Sequence, residues 1–224
     1  MKIINPCFEW LDGRKPNGKV ILDIITKAGR VACQSDREGE EETFVRNLIR
    51  RGHESVLEHA KVSVVVACDR GVTHETVRHR IASYTQESTH YINYAGGKFK
   101  GDITYIAIMG GIQREKAMAH LSAQQIGVIV AEWMEACRDA EKHYNRMIEL
   151  GATPRIARSV LNNSTKAQIV ITMNMREWRH FFKLRSAANA HPQMREVAEM
   201  LLEAFKSAIP VIFDDIPLEV ADDV

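Results

Sequence analysis

The segment Lys61-Val-Ser-Val-Val-Val-Ala-Cys-Asp69 constrains the fold of this chain more than any other stretch. Branching at Cβ stiffens a side chain and suits it to a pleated, half-buried surface. The run therefore reads as a buried strand. Ala167 to Met173 is a second clear strand, and Lys2–Phe8 and Ile103–Met109 are weaker candidates.

Helical patterns fill most of the remainder. Val20, Ile21, Ile24, Ile25, Ala28 and Val31 suit one face of period 3.6, which predicts a helix from about Val20 to Ala32. A helix from about Glu38 to Arg51 has an acidic start and a basic end, matching the helix dipole, and Gly52 stops it. Ser122 to Leu150 is the longest candidate. Its residues Ile126, Val130, Trp133, Cys137, Ala140, Tyr144 and Met147 form an apolar stripe suited to another helix or another subunit. Shorter helices are expected at Thr73–His79, at Pro154–Leu161 with proline in the first turn, at Met175–Leu184 and at Met194–Ser207. Ser83 to Lys100 is polar, aromatic and without helical period, so it reads as loop or irregular strand. Few strands and many helices without regular alternation make an α+β chain of mixed helices and sheet. No linker is visible, so residues 1–224 are expected to form a single domain.

Bulk properties only permit this. With 224 residues, 45% hydrophobic, the chain can build a real core. A formal net charge of +1 gives no sign of a nucleic acid polymer or a membrane as partner. Any anion must meet local clusters of Arg and Lys. Cys7, Cys33, Cys68 and Cys137 form no C-x-x-C pair, so reduced thiols in a cytoplasmic protein are expected. The N-terminal residues lack a signal-peptide apolar stretch, and no apolar run is long enough for a transmembrane helix. No metal site is expected: the six-residue spacing of His53 and His59 does not place them on one helical face. Trp178 and the Phe181-Phe182 pair read as packing residues.

The chemistry concentrates between Glu75 and Tyr91. Arg78, His79 and Arg80 lie together, and hydroxyl and amide groups follow at Ser83, Gln86, Ser88 and Thr89. Guanidinium groups bind phosphates through paired, charge-assisted hydrogen bonds. Tyr84, Tyr91 and Tyr94 offer flat faces to a ring system. Together these groups suit a nucleotide. By themselves they equally suit a solvated basic helix end with a polar loop behind it. Ser88 reads as a loop serine rather than a nucleophile, since no Ser-His-Asp arrangement is visible.

Arg78-His79-Arg80, followed after seven residues by Ser88, resembles the signature of the flavin-dependent thymidylate synthase (ThyX) family. Ile81-Ala82-Ser83-Tyr84 matches as well. His53-Glu54-Ser55 resembles an upstream block, Arg155-Ile156-Ala157-Arg158 a substrate-binding block, and Asn174-Met175-Arg176 and Leu184-Arg185 the C-terminal blocks. The similarity runs from about Lys19 to Leu202 with every block in the family's order.

The resemblance implies a mixed α/β fold of the ThyX type, assembled as a homotetramer whose active sites are shared between subunits. It implies methylation of dUMP to dTMP with FAD as cofactor, 5,10-methylenetetrahydrofolate as carbon donor and NADPH as reductant. Hydride would pass from the flavin to the uracil ring with no cysteine nucleophile. Ser55, Arg78, His79, Arg80, Gln86, Asn174, Arg176 and His180 would contact FAD. Glu75, Arg78, Gln86, Ser88, Thr89, His90, Arg158 and Arg185 would hold dUMP, and Arg185 would be the catalytic group beside the uracil ring. An arginine stays protonated, so Arg185 would stabilise developing negative charge and not act as a base.

The chain departs from the family at His90, where an Arg is usual. Two explanations compete, compensation by Lys98 or Lys100 and a difference in substrate handling, and the first is expected because every other block is kept. The segment Ser186–Gln193 is longer than in the shortest relatives, so His191 is not carried over as a flavin contact. A catalytically silent paralogue that binds flavin or nucleotide is the competing reading. An RNA-binding or phosphate-binding module is a third, disfavoured by the near-neutral charge.

Overall fold

The computed structural model describes residues 1–33, 40–97 and 99–218. In chain order it contains β1 (Lys2–Ile4), β2 (Cys7–Trp10), α1 (Gly18–Cys33), α2 (Glu41–Arg50), a 3₁₀ segment at Glu54–His59, β3 (Lys61–Asp69) and α3 (Arg70–Thr76). Then come β4 (Ala82–Gln86), β5 (Thr104–Ile106), α4 (Met109–Arg114), α5 (Ala123–Glu149), α6 (Pro154–Ala157), β6 (Lys166–Asn174), α7 (Met175–Arg185), α8 (Pro192–Ala208) and α9 (Pro210–Phe213).

The β-branched run is β3, and it pairs antiparallel with β6 from Lys61↔Asn174 to Asp69↔Lys166. With β2 and β4 at its edges the sheet has the order β2-β3-β6-β4. Alternation then decides what is buried. Val62, Val64, Val66 and Cys68 face the same side as Ile169, Ile171 and Met173 and join the main core. Helices α1, α7, α8 and α9 cover that face through Ile25, Trp178, Phe181, Phe182, Leu201, Phe205 and Phe213, all fully buried. Each such side chain contributes roughly 1.5–3 kcal/mol on burial. The packing role expected for Trp178, Phe181 and Phe182 holds. Trp178 also donates its indole N–H to the Val62 carbonyl at 3.1 Å, tying α7 to the sheet.

A second, smaller core lies under α5. Cys137 and Tyr144 pack against Tyr94, Ile103 and Tyr105, and Ala140 is buried beside them. The apolar stripe of this helix therefore meets the chain from Tyr94 to Tyr105 and Ala157 of α6 within its own fold. At its N-terminal half Val128 and Ile129 remain 57% and 37% exposed. Ser122 caps α5 in a reciprocal capping box with Gln125.

Several elements differ from the sequence expectation, each for a local reason. Lys2–Phe8 is not one strand. Pro6 has no N–H to donate, and the chain breaks there into β1, parallel to β5, and β2, antiparallel to β3. The short helix sits at Arg70–Thr76 rather than Thr73–His79, because the Asp69 carboxylate accepts the Val72 N–H at 2.8 Å and starts the helix early. His79 consequently lies beyond the helix. The strand expected at Ile103–Met109 is only Thr104–Ile106, and Met109 opens α4. Pro154–Leu161 keeps an α-helix only to Ala157, then a 3₁₀ turn. The first part of Ser83–Lys100 is the regular strand β4, whose polar residues carry no hydrophobic alternation and which forms by pairing with β6. Glu38, the expected start of the second helix, lies outside the described residues; Glu41 begins α2. Gly52 ends that region at φ +72°, a left-handed conformation suited to glycine.

Helices α1 and α8 meet at Gly18. A Cβ there would lie 2.7 Å from the Ala208 carbonyl oxygen, a backbone atom that cannot swing away. Gly18→Ala is expected to cost about 1–3 kcal/mol through overpacking. A lower urea midpoint with an unchanged m-value would show it; a wild-type midpoint would mean that the two helix ends can separate freely.

Candidate active site

The C-terminal end of α7 brings Arg185 to the turn that follows α3. Its Nε–H donates to His79 Nε2 at 3.1 Å, Nη1 to Glu75 Oε2 at 2.8 Å, and Nη2 to the Glu75 carbonyl at 3.2 Å. A guanidinium has five N–H bonds, so three are engaged and two are left. On its far side His79 faces Glu177, with Nδ1 2.9 Å from Oε1. This geometry fixes the tautomer. Nε2 must offer its lone pair to Arg185, so Nδ1 carries the proton and donates it to the carboxylate.

His79 and Glu177 are 4% and 7% exposed, so the pair is a buried brace for Arg185. Tyr84 holds the same turn: its hydroxyl lies 2.8 Å and 2.7 Å from the carbonyl oxygens of Thr76 and His79. Burial, the dominant cause, keeps His79 below the ordinary histidine pKa; the hydrogen bond to Glu177 opposes this and the Arg185 charge reinforces it.

A second group forms around the loop after β4. Arg158 Nη1 donates to the Thr89 hydroxyl at 3.2 Å, and the His90 backbone N–H donates to Ser88 Oγ at 3.2 Å. Gln86 Nε2 donates to Thr73 Oγ1 at 3.1 Å, joining β4 to α3. Thr73, Val77, Gln86, Ser88, Thr89, Arg70 and Arg158 border a hollow of about 330 Å³. Ser88, Thr89, Arg158 and Gln86 are thus drawn to one hollow beside α3, while Glu75 on α3 itself meets Arg185. The His90 ring stands edge-on to Tyr91, with centroids 4.6 Å apart. Desolvation first, and then the charges of Arg155 and Arg158, keep the His90 pKa below its ordinary value.

The other expected residues are placed less uniformly. Arg78 and Arg80 are exposed in the turn between α3 and β4, and Ser55 is exposed in the 3₁₀ segment. Arg176 is exposed and paired with Glu58 at 2.5 Å. Asn174 caps α7 by accepting the Glu177 N–H at 2.8 Å, so its amide NH₂ is the part left for a ligand. His180 is exposed, its ring 5.4 Å from that of His79. Potential ligand atoms of His79, Glu177 and His180 lie within 4.8 Å of one another. Both His79 nitrogens already have partners, Glu177 and Arg185, so no lone pair of that ring faces a metal. Free Cys68 and Cys137 are buried in the two cores, and exposed Cys7 lies on edge strand β2.

Residues 21–211 match the family model described as thymidylate synthase complementing protein. The chain belongs to this family. A flavin-dependent thymidylate synthase of Geobacter sulfurreducens is 33% identical over 173 residues, 77% of this chain and 68% of that one. The enzyme of the same name from Mycobacterium tuberculosis H37Rv is 29% identical over 202 residues, covering 86% and 78%. Among solved structures, the UMP/dUMP methylase PolB of Streptomyces cacaoi with 5-Br dUMP aligns at TM-score 0.76 over 96% of each chain, at 24% identity. The fold is therefore shared with that methylase.

Within the family frame, residues that sequence reasoning passed over now stand out. Glu177 gave one signal, its place three residues after the capping Asn174, and that signal speaks of helix capping rather than chemistry. Arg70 gave none.

The neutral, buried His79 has a thermodynamic consequence. Below about pH 6.5 the unfolded chain takes up a proton at this position that the folded chain refuses, so stability falls as pH drops from there towards the depressed value. The slope is at most about 1.4 kcal/mol per pH unit. Urea unfolding of wild type and His79→Gln between about pH 5 and pH 7 isolates this contribution. Wild type should lose more stability on acidification than the variant; parallel pH profiles would show that His79 protonates freely within the fold.

Proposed function

We propose that this protein methylates dUMP to dTMP with FAD as cofactor, 5,10-methylenetetrahydrofolate as carbon donor and NADPH as reductant. The observation that carries this reading is the anchoring of Arg185 by Glu75 and His79 in a chain of this family. Two N–H bonds of a fixed cation remain to meet a carbonyl oxygen of a pyrimidine ring. They would stabilise negative charge as it develops there, and pre-orientation means little reorganisation at the moment of reaction.

The donor set suits FAD. Arg78 and Arg80 are exposed and form no ion pair among the described residues, which leaves two planar forks for an anionic pyrophosphate. Ser55, Gln86, Asn174, Arg176 and His180 add polar contacts, with Arg176 exchanging Glu58 for the ligand. His79, being buried, supports this site through Arg185. When bound, FAD supplies the hydride chemistry that no side chain of the protein can provide. The protein's own part is to bind, orient and polarise. Glu75, Arg78, Gln86, Ser88, Thr89, His90 and Arg158 would hold the nucleotide, with Ser88 as a ligand and not a nucleophile.

Assembly as a homotetramer is part of the same reading. It accords with the exposed Val128 and Ile129 of α5, which an adjoining subunit would cover. The free thiols of Cys7, Cys68 and Cys137 accord with a cytoplasmic location. No helix of the described residues is long and apolar enough to cross a membrane.

Two measurements test the reading. The purified protein should be yellow with flavin absorption. With NADPH and methylenetetrahydrofolate it should release tritium from dUMP labelled at uracil C5. Flavin bound without any release would leave the silent-paralogue reading standing. Arg185→Lys should retain flavin and lower kcat by about 10²- to 10³-fold, the range for losing a preorganised donor. Ser88→Ala should act chiefly on KM; complete loss of turnover in that variant would contradict the ligand role.

A further inference from the structure

His90 leaves the loop after β4 without the guanidinium usual in the family, yet the hollow beside that loop gathers several arginines. A cavity of about 370 Å³ beside Thr89 is lined by Arg70, Thr89, Arg155, Arg158, Ser159 and Leu161. Three of these six residues are arginines, and none is acidic. Arg70 and Arg158 also border the adjoining hollow with Ser88 and Gln86, so the two spaces share a wall. None of the three arginines forms an ion pair among the described residues.

The nearby carboxylate does not neutralise them. Glu87 is held by Lys166 at 2.5 Å, by the Gln168 backbone N–H at 3.2 Å and by the Tyr94 hydroxyl at 3.4 Å. Its charge is therefore already matched. Lys100, one of the two residues expected to compensate for His90, does not line the cavity, and Lys98 lies outside the described residues.

Three like charges around one hollow repel each other, and an anion relieves that repulsion. The hydroxyls of Thr89, Ser159 and Ser88 supply the remaining hydrogen bonds for tetrahedral oxygens. We propose that Arg70 and Arg155, together with Arg158, bind the phosphate of the nucleotide substrate and provide the charge that His90 lacks. This inference rests on the reading that the substrate is a pyrimidine nucleoside monophosphate. Because guanidiniums stay protonated throughout the working range, the anchor keeps its charge where a histidine would lose it.

The test uses the flavin-loaded full chain and measures binding of dUMP and of deoxyuridine, which lacks the phosphate. Arg70→Ala/Arg155→Ala should weaken dUMP by about 30- to 100-fold, as expected for losing charge-assisted hydrogen bonds. It should leave deoxyuridine binding and flavin content unchanged. Arg155→Lys should fall between wild type and Arg155→Ala, since it keeps the charge and loses the fork. Lys100→Ala should bind dUMP like wild type. Inorganic phosphate should compete with dUMP in the wild type and much less in the double variant. Wild-type dUMP affinity in the double variant overturns the cradle alone. An equal loss for deoxyuridine also overturns it, because the effect would then be structural. A wild type that binds flavin but no dUMP overturns the substrate reading and the cradle with it.

Discussion

The pairing of β3 with β6 is the constraint on which the rest of the structure depends. Each strand leads directly into a helix that carries part of the site, α3 after Asp69 and α7 after Asn174. Because the strands are antiparallel, these helices start at opposite ends of the ladder. Helix α7, about 16 Å long, returns over the apolar face and delivers Arg185 to the turn after α3. The same ladder offers its outer edge to β4, which leads into Ser88 and Thr89. A slip of one residue between β3 and β6 would turn the valines outward and separate Arg185 from Glu75.

The arginines of this protein divide by what surrounds them. Arg179, 1% exposed, is satisfied by Asp215 at 2.6 and 2.7 Å, Glu54 at 3.3 Å and the Ile212 carbonyl. The Asp215 carboxyl is held below its ordinary pKa first by that hydrogen bond. Such a pair joins α7 to the segment after α9, and breaking it would strand a buried charge. Arg185 is intermediate: three of its N–H bonds are fixed and two are left. Arg70, Arg155 and Arg158 have no carboxylate partner among the described residues. This gradient from satisfied to unsatisfied separates guanidiniums that join elements of the fold from those without a carboxylate partner among the described residues.

Rigidity and the candidate site are linked through the buried brace. A neutral His79 accepts from Arg185 and donates to Glu177, so its tautomer is dictated from both sides. Protonation would remove the acceptor and set a second positive charge against Arg185. The burial that excludes that proton also holds the guanidinium in place. Loops alone would position it less well, whereas here the brace spans from the turn after α3 to the first turn of α7.

The strands Lys61–Asp69 and Ala167–Met173, most of the helices and the ordered motifs around Arg78-His79-Arg80 and Ser88 were legible because they are local. Periodicity and short spacings are written into consecutive residues. Strand β4 was not legible, since Ser83, Thr85 and Gln86 become a strand only by pairing with β6. The break at Pro6 and the early start of α3 at Asp69 each turned on one residue whose effect depends on its neighbours in space. Residue types by themselves determined that any bound anion must meet local clusters of Arg and Lys and that Arg185 could not be a base. Only the tertiary structure decided which of those guanidiniums are neutralised, because partners such as Glu75 for Arg185 and Asp215 for Arg179 lie 110 and 36 residues away along the chain. Charge pairing is set by distance in space, and that distance exists only once the sheet has closed.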